Sequence, residues 1–288
     1  MSPSISSLNR GGKIASYMIG YFTYMEIILR GFNFLRRYVF TNPRYTFRYL
    51  MVFWRQGFSF QAQLLSEQEF ITELKNGKSL IRLGDGEINL MLGLRNHYQN
   101  FSPVLQKVMF EIVEGYKQNS PYILALPRFI NCTNKELESM GKLQVWLPLK
   151  VMFGIYFKKT LAYLDAHSFY YDGYFERTVG QTIQNKHIVL ITRQETIDKQ
   201  KNNINIPWSR VSYVAVPEEE ALSSYESIKE KIEQTINPAE LDKTVLLFAM
   251  GPVGKWLAFE YASQGLQSID IGKVAEVFYT GESIAYIV

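Results

Sequence analysis

Two carboxylates placed two residues apart are the clearest chemical feature of the sequence. Asp85 and Glu87 belong to the run Arg82-Leu83-Gly84-Asp85-Gly86-Glu87, which begins within an apolar segment, residues 79–83, typical of a buried strand. The glycines permit a tight turn and a close approach of the backbone to a ligand. Because Mg²⁺ and Mn²⁺ prefer oxygen ligands, the run predicts that Asp85 and Glu87 bind a divalent metal. Such a metal would neutralise negative charge that develops on a departing phosphate.

The same run also has a purely structural interpretation. Asp85 would cap a helix that begins near Glu87, and Glu87 would be favoured in the first turn of that helix. Arg82 favours a ligand site, because an arginine at the edge of a sheet requires a partner such as a carboxylate or a phosphate. The residues expected to contact the ligand here are Arg82, Gly84 and Gly86.

A second glycine turn, Met250-Gly251-Pro252-Val253-Gly254-Lys255, follows the apolar segment 245–249 and leads into a predicted helix. Strand, turn and helix N-terminus together form a site for an anion. The turn is not a Walker A loop, because Ala249 stands in the place of its first glycine and Trp256 in the place of its Ser or Thr. A helix start with a solvent-facing lysine is the alternative. The residues predicted to hold a diphosphate are Gly251, Gly254 and Lys255.

Asp270 is the candidate catalytic residue, at or just after the predicted strand 267–271. A carboxylate there would serve as general base for an acceptor hydroxyl, or would hydrogen-bond a turn. The three histidines share no motif, so His167 and the others are interpreted as structural or surface residues. Cys132 is the single cysteine, which excludes an intrachain disulfide and gives no sign of an oxidising compartment.

Alternating strand-like and helical segments after residue 66 predict an α/β domain with a mainly parallel sheet and flanking helices. Ligands of such sheets bind beyond the carboxyl ends of the strands, where both glycine turns fall. The polar stretch 194–205 is expected to be a mobile loop. The predicted strands are 79–83, 122–126, 187–192, 211–216, 245–249 and 267–271, and the predicted helices are 67–75, 87–95, 103–117, 145–164, 221–235 and 253–264.

A basic, aromatic segment precedes this domain. Residues 1–60 hold eight basic side chains and one acidic one, whereas the chain as a whole has a net charge of +4. The apolar stretch 14–29 is too short for a membrane span and lacks the features of a secretory signal. We therefore predict a helical extension, 1–60, before an enzyme domain, 61–288, in a cytoplasmic protein.

The composition of the extension predicts contact with an anionic membrane surface, so the protein would be peripheral on the inner face of the cell membrane. A helical pair packed on the enzyme body, with its arginines reaching solvent, is the alternative. Nucleic acid is not the expected partner, because the excess of positive charge stops at residue 60 and no RNA-binding signature follows.

The two glycine turns together resemble the GT-D-type glycosyltransferases of bacterial surface-glycan and glycoprotein synthesis. Residues 81–87 are similar to the family's Arg-aromatic-Gly-Asp-Gly-Glu signature, and residues 249–255 with Ser268-Ile269-Asp270-Ile271-Gly272 resemble its C-terminal block. The resemblance implies a Rossmann-like fold, a UDP-sugar donor, a glycan or lipid-linked acceptor, and a Mn²⁺ or Mg²⁺ ion at Asp85 and Glu87. Leu83 replaces the aromatic residue, and Lys273 stands where common members have a histidine.

Two further functions remain in view. A non-catalytic subunit that binds a nucleotide sugar would keep the same site and lack turnover. An S-adenosylmethionine methyltransferase is disfavoured, because it normally has an acidic residue after the next strand, where this chain has Leu126-Pro127-Arg128. The sequence leaves the sugar, the acceptor, the stereochemistry and the oligomeric state open.

Overall fold

The computed structural model describes residues 43–171, 173–201, 208 and 210–276. The chain divides into two compact units, residues 1–54 and 55–288. Helix α1 (Pro43–Phe53) and the following Trp54 are the described part of the first unit. The apolar stretch 14–29 lies outside the described residues. None of the described helices is both long enough and apolar enough to cross a membrane.

The described residues of the second unit form one eight-stranded sheet, in which all strand pairs are parallel. The order is β1-β4-β3-β2-β8-β7-β5-β6. This confirms the predicted α/β class. The strands are β1 (Gln63–Leu64), β2 (Ser79–Arg82), β3 (Tyr122–Leu126), β4 (Ala162–Asp165), β5 (His187–Arg193), β6 (Arg210–Val216), β7 (Thr244–Ala249) and β8 (Ser268–Asp270).

Helices flank the sheet, and capping residues mark the start of α2 and the end of α10. Ser66 and Glu69 form a capping box at the start of α2, and Gly265, in the left-handed region with φ 85°, follows the end of α10 as predicted. The remaining helices are α2 (Glu67–Lys75), α3 (Asp85–Met91), α4 (Pro103–Gly115), α5 (Asn134–Ser139), α6 (Leu143–Tyr156), α7 (Gln181–Ile183), α8 (Gln194–Lys201), α9 (Tyr225–Thr235) and α10 (Pro252–Ser263).

The helix predicted over 145–164 is wrong in its second half. Helix α6 ends at Tyr156, and the chain then forms β4, which pairs with β3 and with the short strand β1. Tyr163 and Leu164 are buried in this strand. The polar residues 158–160 form the turn between the two elements, but three polar residues within an apolar stretch also fit the exposed face of one longer helix. The predicted strands and helices therefore lack β1, β4 and α5.

The mobile loop predicted over 194–205 is wrong for residues 194–201, which form helix α8. Gln194 bonds to Asp198 and Lys199 pairs with Glu195, both across one helical turn. Ile197 is 2% exposed, so the helix also packs on the protein despite its polar composition. Residues 202–205 lie outside the described part of the chain.

Candidate active site

A cavity of about 1040 Å³ lies at the edge of the sheet where the strands end. Residues that follow each strand from β2 to β8 line it, as expected for a ligand site in a parallel sheet. The structure thus brings the two glycine turns together. The predicted site residues in the cavity wall are Arg82, Gly84, Asp85, Gly86, Glu87, Gly251, Lys255 and Asp270.

The guanidinium of Arg82 is buried and bound mainly by backbone carbonyls. Its Nε and Nη2 donate to the Ala166 carbonyl at 3.1 and 2.6 Å, and its Nη1 donates to the Ile271 carbonyl at 2.8 Å. Burial lowers the pKa of Arg82, but Tyr170 and Asp270 outweigh burial and raise it above its ordinary value. The carboxylate or phosphate expected as hydrogen-bond partner is thus replaced by carbonyls, and Arg82 ties the ends of β4 and β8 to β2.

Lys255 lies between two carboxylates inside the protein. Its Nζ is 3.0 Å from Asp270 Oδ2 and 3.5 Å from Glu87 Oε1, and all three side chains are less than a tenth exposed. Burial lowers the pKa of Lys255, but Asp270 and Glu87 outweigh burial and raise it above its ordinary value. Lys255 is therefore charged, and its charge is directed at the carboxylates rather than at solvent.

Asp270 ends β8, and the structure holds both of its carboxylate oxygens. Oδ1 accepts a hydrogen bond from the Gly272 amide at 3.1 Å, which is the turn contact expected as one of its two roles. Oδ2 forms the ion pair with Lys255, without the alignment of a hydrogen bond. The role of Asp270 as a general base stays a prediction.

The two carboxylates of the predicted metal pair have different surroundings. Helix α3 begins at Asp85, so Gly84, not Asp85, is its N-cap residue. Glu87 is buried; its Oε2 accepts a hydrogen bond from the Gly84 amide at 2.8 Å while its Oε1 faces Lys255. Asp85 is exposed and lines the cavity. Asp85 is thus the member of this pair whose carboxylate is open to a ligand.

The glycines of the second turn have separate purposes. Gly251 has φ 70°, a backbone conformation that favours glycine, and it precedes the first residue of α10. Gly254 lies within α10, where an added Cβ would be 2.7 Å from Met250 Cγ and 3.4 Å from Phe248 Cβ. Gly254 therefore allows α10 to pack closely on β7, and it lies outside the cavity wall. The structure does not support its predicted contact with a ligand.

An aromatic and basic wall on the β3 and β4 side of the cavity escapes the sequence analysis. Phe129 and Trp146 stack with ring centroids 4.9 Å apart, and the His167 ring packs edge-on against both. Burial lowers the pKa of His167; Asp165 raises it, but the positive charges of Arg82, Arg128 and Lys142 lower it further, so the pKa lies below its ordinary value. His167 lies in the cavity wall. Its isolated position in the sequence gives no signal of this.

The opposite wall, beyond β5 and β6, is rich in carboxylates. Arg193 donates from Nη1 to Glu218 Oε1 at 2.7 Å and from Nη2 to Glu276 Oε1 at 2.8 Å. Both carboxylates line the cavity, and Arg193 partly balances them. The cavity therefore has a cationic side and an anionic side, so the two ends of a bound ligand would lie next to opposite charges.

These features, a parallel sheet with two glycine turns and carboxylates at its carboxyl edge, can be compared with known proteins. The family model described as "Glycosyltransferase GT-D fold" matches residues 80–280. The chain belongs to this GT-D family. The match covers both motif blocks on which the resemblance rests and leaves the basic extension outside.

Relatives of this GT-D protein agree with the assignment. A probable glycosyl transferase, Gly, from Streptococcus gordonii is 22% identical over 214 residues, which is 70% of this chain and 30% of that protein. The chain thus spans less than a third of the length of that relative.

Two solved structures share the fold. A glycosyltransferase from Streptococcus sanguinis has a TM-score of 0.62 and 23% identity, covering 77% of this chain and 87% of that one. A domain of unknown function, described as having a distinct glycosyltransferase fold, has a TM-score of 0.64 and 18% identity, covering 83% of this chain and 87% of that one.

A divalent metal fits the ligands that the cavity of this GT-D protein offers. Among the described residues, no group of three His, Cys, Asp or Glu side chains could hold a metal by itself. Mg²⁺ and Mn²⁺ sites commonly use one or two carboxylates and complete their shell with water and substrate phosphates. The exposed carboxylate of Asp85 meets that requirement, whereas both oxygens of Glu87 already face protein partners.

Proposed function

We propose that this GT-D protein transfers a sugar from a nucleotide donor, a UDP-sugar, to a glycan, glycoprotein or lipid-linked acceptor in bacterial surface-glycan synthesis. The observation that carries the proposal is the exposed Asp85 carboxylate in a cavity of about 1040 Å³, beside the buried Lys255 and its two carboxylate partners. A cavity of this size accommodates a nucleoside diphosphate sugar. The family resemblance supports the UDP donor and the metal requirement.

The residues of the site would divide the work. Asp85 would hold the metal, with Glu87 as the second candidate ligand, and the metal would neutralise the charge of the departing diphosphate. The positive charge of Lys255 would offset the negative charges of Glu87 and Asp270. The two carboxylates would therefore repel each other and the phosphates less. Arg128, on the opposite side of the cavity from Glu218, would add positive charge near the diphosphate.

Titration of UDP against the protein, with and without Mn²⁺, tests the metal site. We expect Mn²⁺ to strengthen UDP binding to the wild type. In Asp85→Asn, the factor by which Mn²⁺ increases UDP affinity should be at least about tenfold smaller, which corresponds to about 1.4 kcal/mol. Asp242→Asn, an exposed aspartate outside the cavity wall, is the matched control and should bind as the wild type does. Equal Mn²⁺-dependent affinities of Asp85→Asn and the control would contradict the assignment.

A non-catalytic binding subunit is the second candidate, favoured by one observation. Asp270, the predicted base, is 2% exposed and held by Lys255 and Gly272. A panel of UDP-, GDP- and CMP-sugars, assayed for released nucleotide, separates the two functions. If the wild type releases UDP from a UDP-sugar and Asp270→Asn lowers the rate of release at least about a hundredfold, the result would support an enzyme with Asp270 as base. Affinity without release would favour the binder.

We also propose that α1 rests on an anionic membrane surface. Phe47 and Trp54, on and just after this helix, are 69% and 78% exposed, and the helix itself carries Arg44 and Arg48. Exposed aromatic side chains interleaved with arginines are typical of segments that lie at the lipid interface. The protein should cosediment with phosphatidylcholine vesicles only when they contain phosphatidylglycerol, and Phe47→Glu with Trp54→Glu should abolish this. Equal cosedimentation of that double variant would overturn the proposal.

A further inference from the structure

A loop of residues 96–100 covers both glycine turns of the cavity. Asn96 lies against Gly86, where an added Cβ would be 3.3 Å from Asn96 Nδ2. Tyr98 lies against Gly251, where an added Cβ would be 3.7 Å from Tyr98 Cβ. The Oδ1 of Asn96 accepts hydrogen bonds from the amides of the second and third residues after it, at 2.9 and 2.7 Å, so the loop is a compact turn. One loop thus contacts both turns of the predicted donor site.

Glu220, which follows β6, holds this loop. Its Oε2 accepts a hydrogen bond from Gln99 Nε2 at 2.6 Å, and its Oε1 accepts one from the Asn100 amide at 2.8 Å. Its own amide donates to the Tyr98 carbonyl at 3.0 Å. Gln99 Oε1 in turn accepts a hydrogen bond from the Leu222 amide at 3.2 Å. Four hydrogen bonds therefore join the segment after β6 to the loop, three of them through the side chains of Glu220 and Gln99 and one between backbone groups.

Two features indicate that this contact is more than a surface link. Glu220 has φ 52°, in the left-handed region, and among the described residues it is the one non-glycine residue with positive φ. Strained backbone persists only where its surroundings impose it, and such strain is concentrated at ligand sites. Gln99 is 4% exposed, so its amide group would lose buried hydrogen bonds if the contact opened.

We propose that Glu220 is a positioning residue of the donor site and acts through Gln99, holding Asn96 and Tyr98 over the two glycine turns. This role depends on the proposed function, because it requires that the cavity bind the nucleotide sugar. In the sheet, β8, β7 and β5 separate β2 from β6, so the contact reaches from the Gly86 side of the cavity to its far edge. Opening the contact would weaken donor binding more than it would slow transfer.

A reciprocal exchange of the two side chains tests this contact. In Glu220→Gln, one of the two accepting oxygens becomes an NH₂ group. Whichever way the new side chain turns, this donor faces another donor, either the Gln99 side chain or the Asn100 amide. In Gln99→Glu, two carboxylates face each other. In the double variant, the new glutamine accepts from Asn100 and donates to the new glutamate, which still accepts from Leu222. The double variant therefore restores the hydrogen bonds that each single variant breaks.

Two measurements are needed, of which one requires no substrate. Amide hydrogen exchange at Asn100 reports the loop, and KM and kcat with a UDP-sugar report the site. We expect each single variant to speed exchange and to raise donor KM roughly tenfold to a hundredfold, with kcat changed less. We expect the double variant to recover both to within about threefold of wild type. Glu226→Gln, an exposed residue of α9, is the control and should match wild type.

Single variants that leave exchange and KM unchanged, or a double variant no better than either single one, would overturn the proposal. A wild-type protein that neither binds nor turns over a nucleotide sugar would overturn the proposed function instead, while the exchange measurements would still decide whether the contact holds the loop. If Glu220→Gln fails to fold, the comparison of Gln99→Glu with the double variant decides the outcome.

Discussion

The Nζ of Lys255 lies 3.0 Å from Oδ2 of Asp270, and both side chains are almost wholly buried. Glu87 approaches the same ammonium group, and Arg82 lies close enough to interact with both carboxylates. Two positive and two negative charges therefore share this region, and they balance. The exposed Asp85 carboxylate lies outside that balance, which is the reason a cation is expected there.

Lys255→Met should destabilise the protein by about 3–5 kcal/mol, because it leaves two carboxylates buried without their counter-charge. The loss is measured as the free energy of unfolding in urea. Adding Asp270→Asn to the variant should recover part of it, since one of the uncompensated charges is then removed. Lys243→Met, at an exposed lysine, is the control. A loss below about 1 kcal/mol for Lys255→Met would contradict the buried ion-pair interpretation.

Arg82→Lys should also be destabilising although it keeps the positive charge. The rigid guanidinium of Arg82 contacts the Ala166 and Ile271 carbonyls at once. The single ammonium nitrogen of lysine cannot contact both. Each buried carbonyl left without a donor costs about 1–3 kcal/mol. Thermal unfolding measures the effect, with Arg95→Lys at an exposed position as the control. Equal melting temperatures of the two variants would show that the carbonyl contacts contribute little.

Gly254→Ala should lower the free energy of unfolding by about 1–3 kcal/mol, because the added methyl group would lie 2.7 Å from Met250 Cγ. Gly115→Ala is a matched control in α4, where the added methyl group would meet Tyr122 Oη at an ordinary 3.6 Å. The control should be neutral or slightly stabilising, since alanine favours a helix. Donor affinity of folded Gly254→Ala should remain near wild type. A large loss of affinity without loss of stability would restore Gly254 to the donor site.

The buried Lys150 should make stability rise with pH above about pH 8. Its Nζ donates to the Phe58 and Cys132 carbonyls and to Asn134 Oδ1, each at 2.7 Å, and burial lowers its pKa from the ordinary value of 10.5 to about 8. Below pH 8 the folded and unfolded states are both protonated and the full penalty of the buried charge applies. Between the two pKa values the unfolded state binds more protons, so the free energy of unfolding increases with pH.

Urea unfolding of the wild type and Lys150→Met at pH 7 and at pH 10 measures this contribution. The wild type should gain stability relative to the variant over that interval. Tyrosines whose pKa is raised by burial, such as Tyr116 with a pKa of about 12, act in the opposite direction only above their unfolded pKa near 10. Identical pH dependence of the two proteins would show that Lys150 keeps an ordinary pKa.

The central strands of the sheet can be predicted because the apolar residues that become buried are consecutive in the sequence. Strands β2, β3, β5 and β7 are buried along almost their whole length, so each is a continuous apolar run that ends at a turn or a polar residue. Strand β4 is separated from α6 only by the short polar turn at residues 158–160, which also fits the exposed face of one longer helix. Helix α8 has the composition of a loop and is stabilised by contacts across its own turns and by packing.

The sequence by itself determined that two glycine turns with charged residues follow strands of a parallel sheet, and so lie at one edge. Tertiary structure decided which side chains meet there. Strand β8 pairs with both β2 and β7, and this order carries Asp270 to Lys255 and Arg82 to the Ile271 carbonyl. It also decided that Glu87 is engaged while Asp85 is open to a ligand. Apolar patterns record how deeply a residue is buried, which is a local property, whereas its partners depend on strand order, which local patterns do not record.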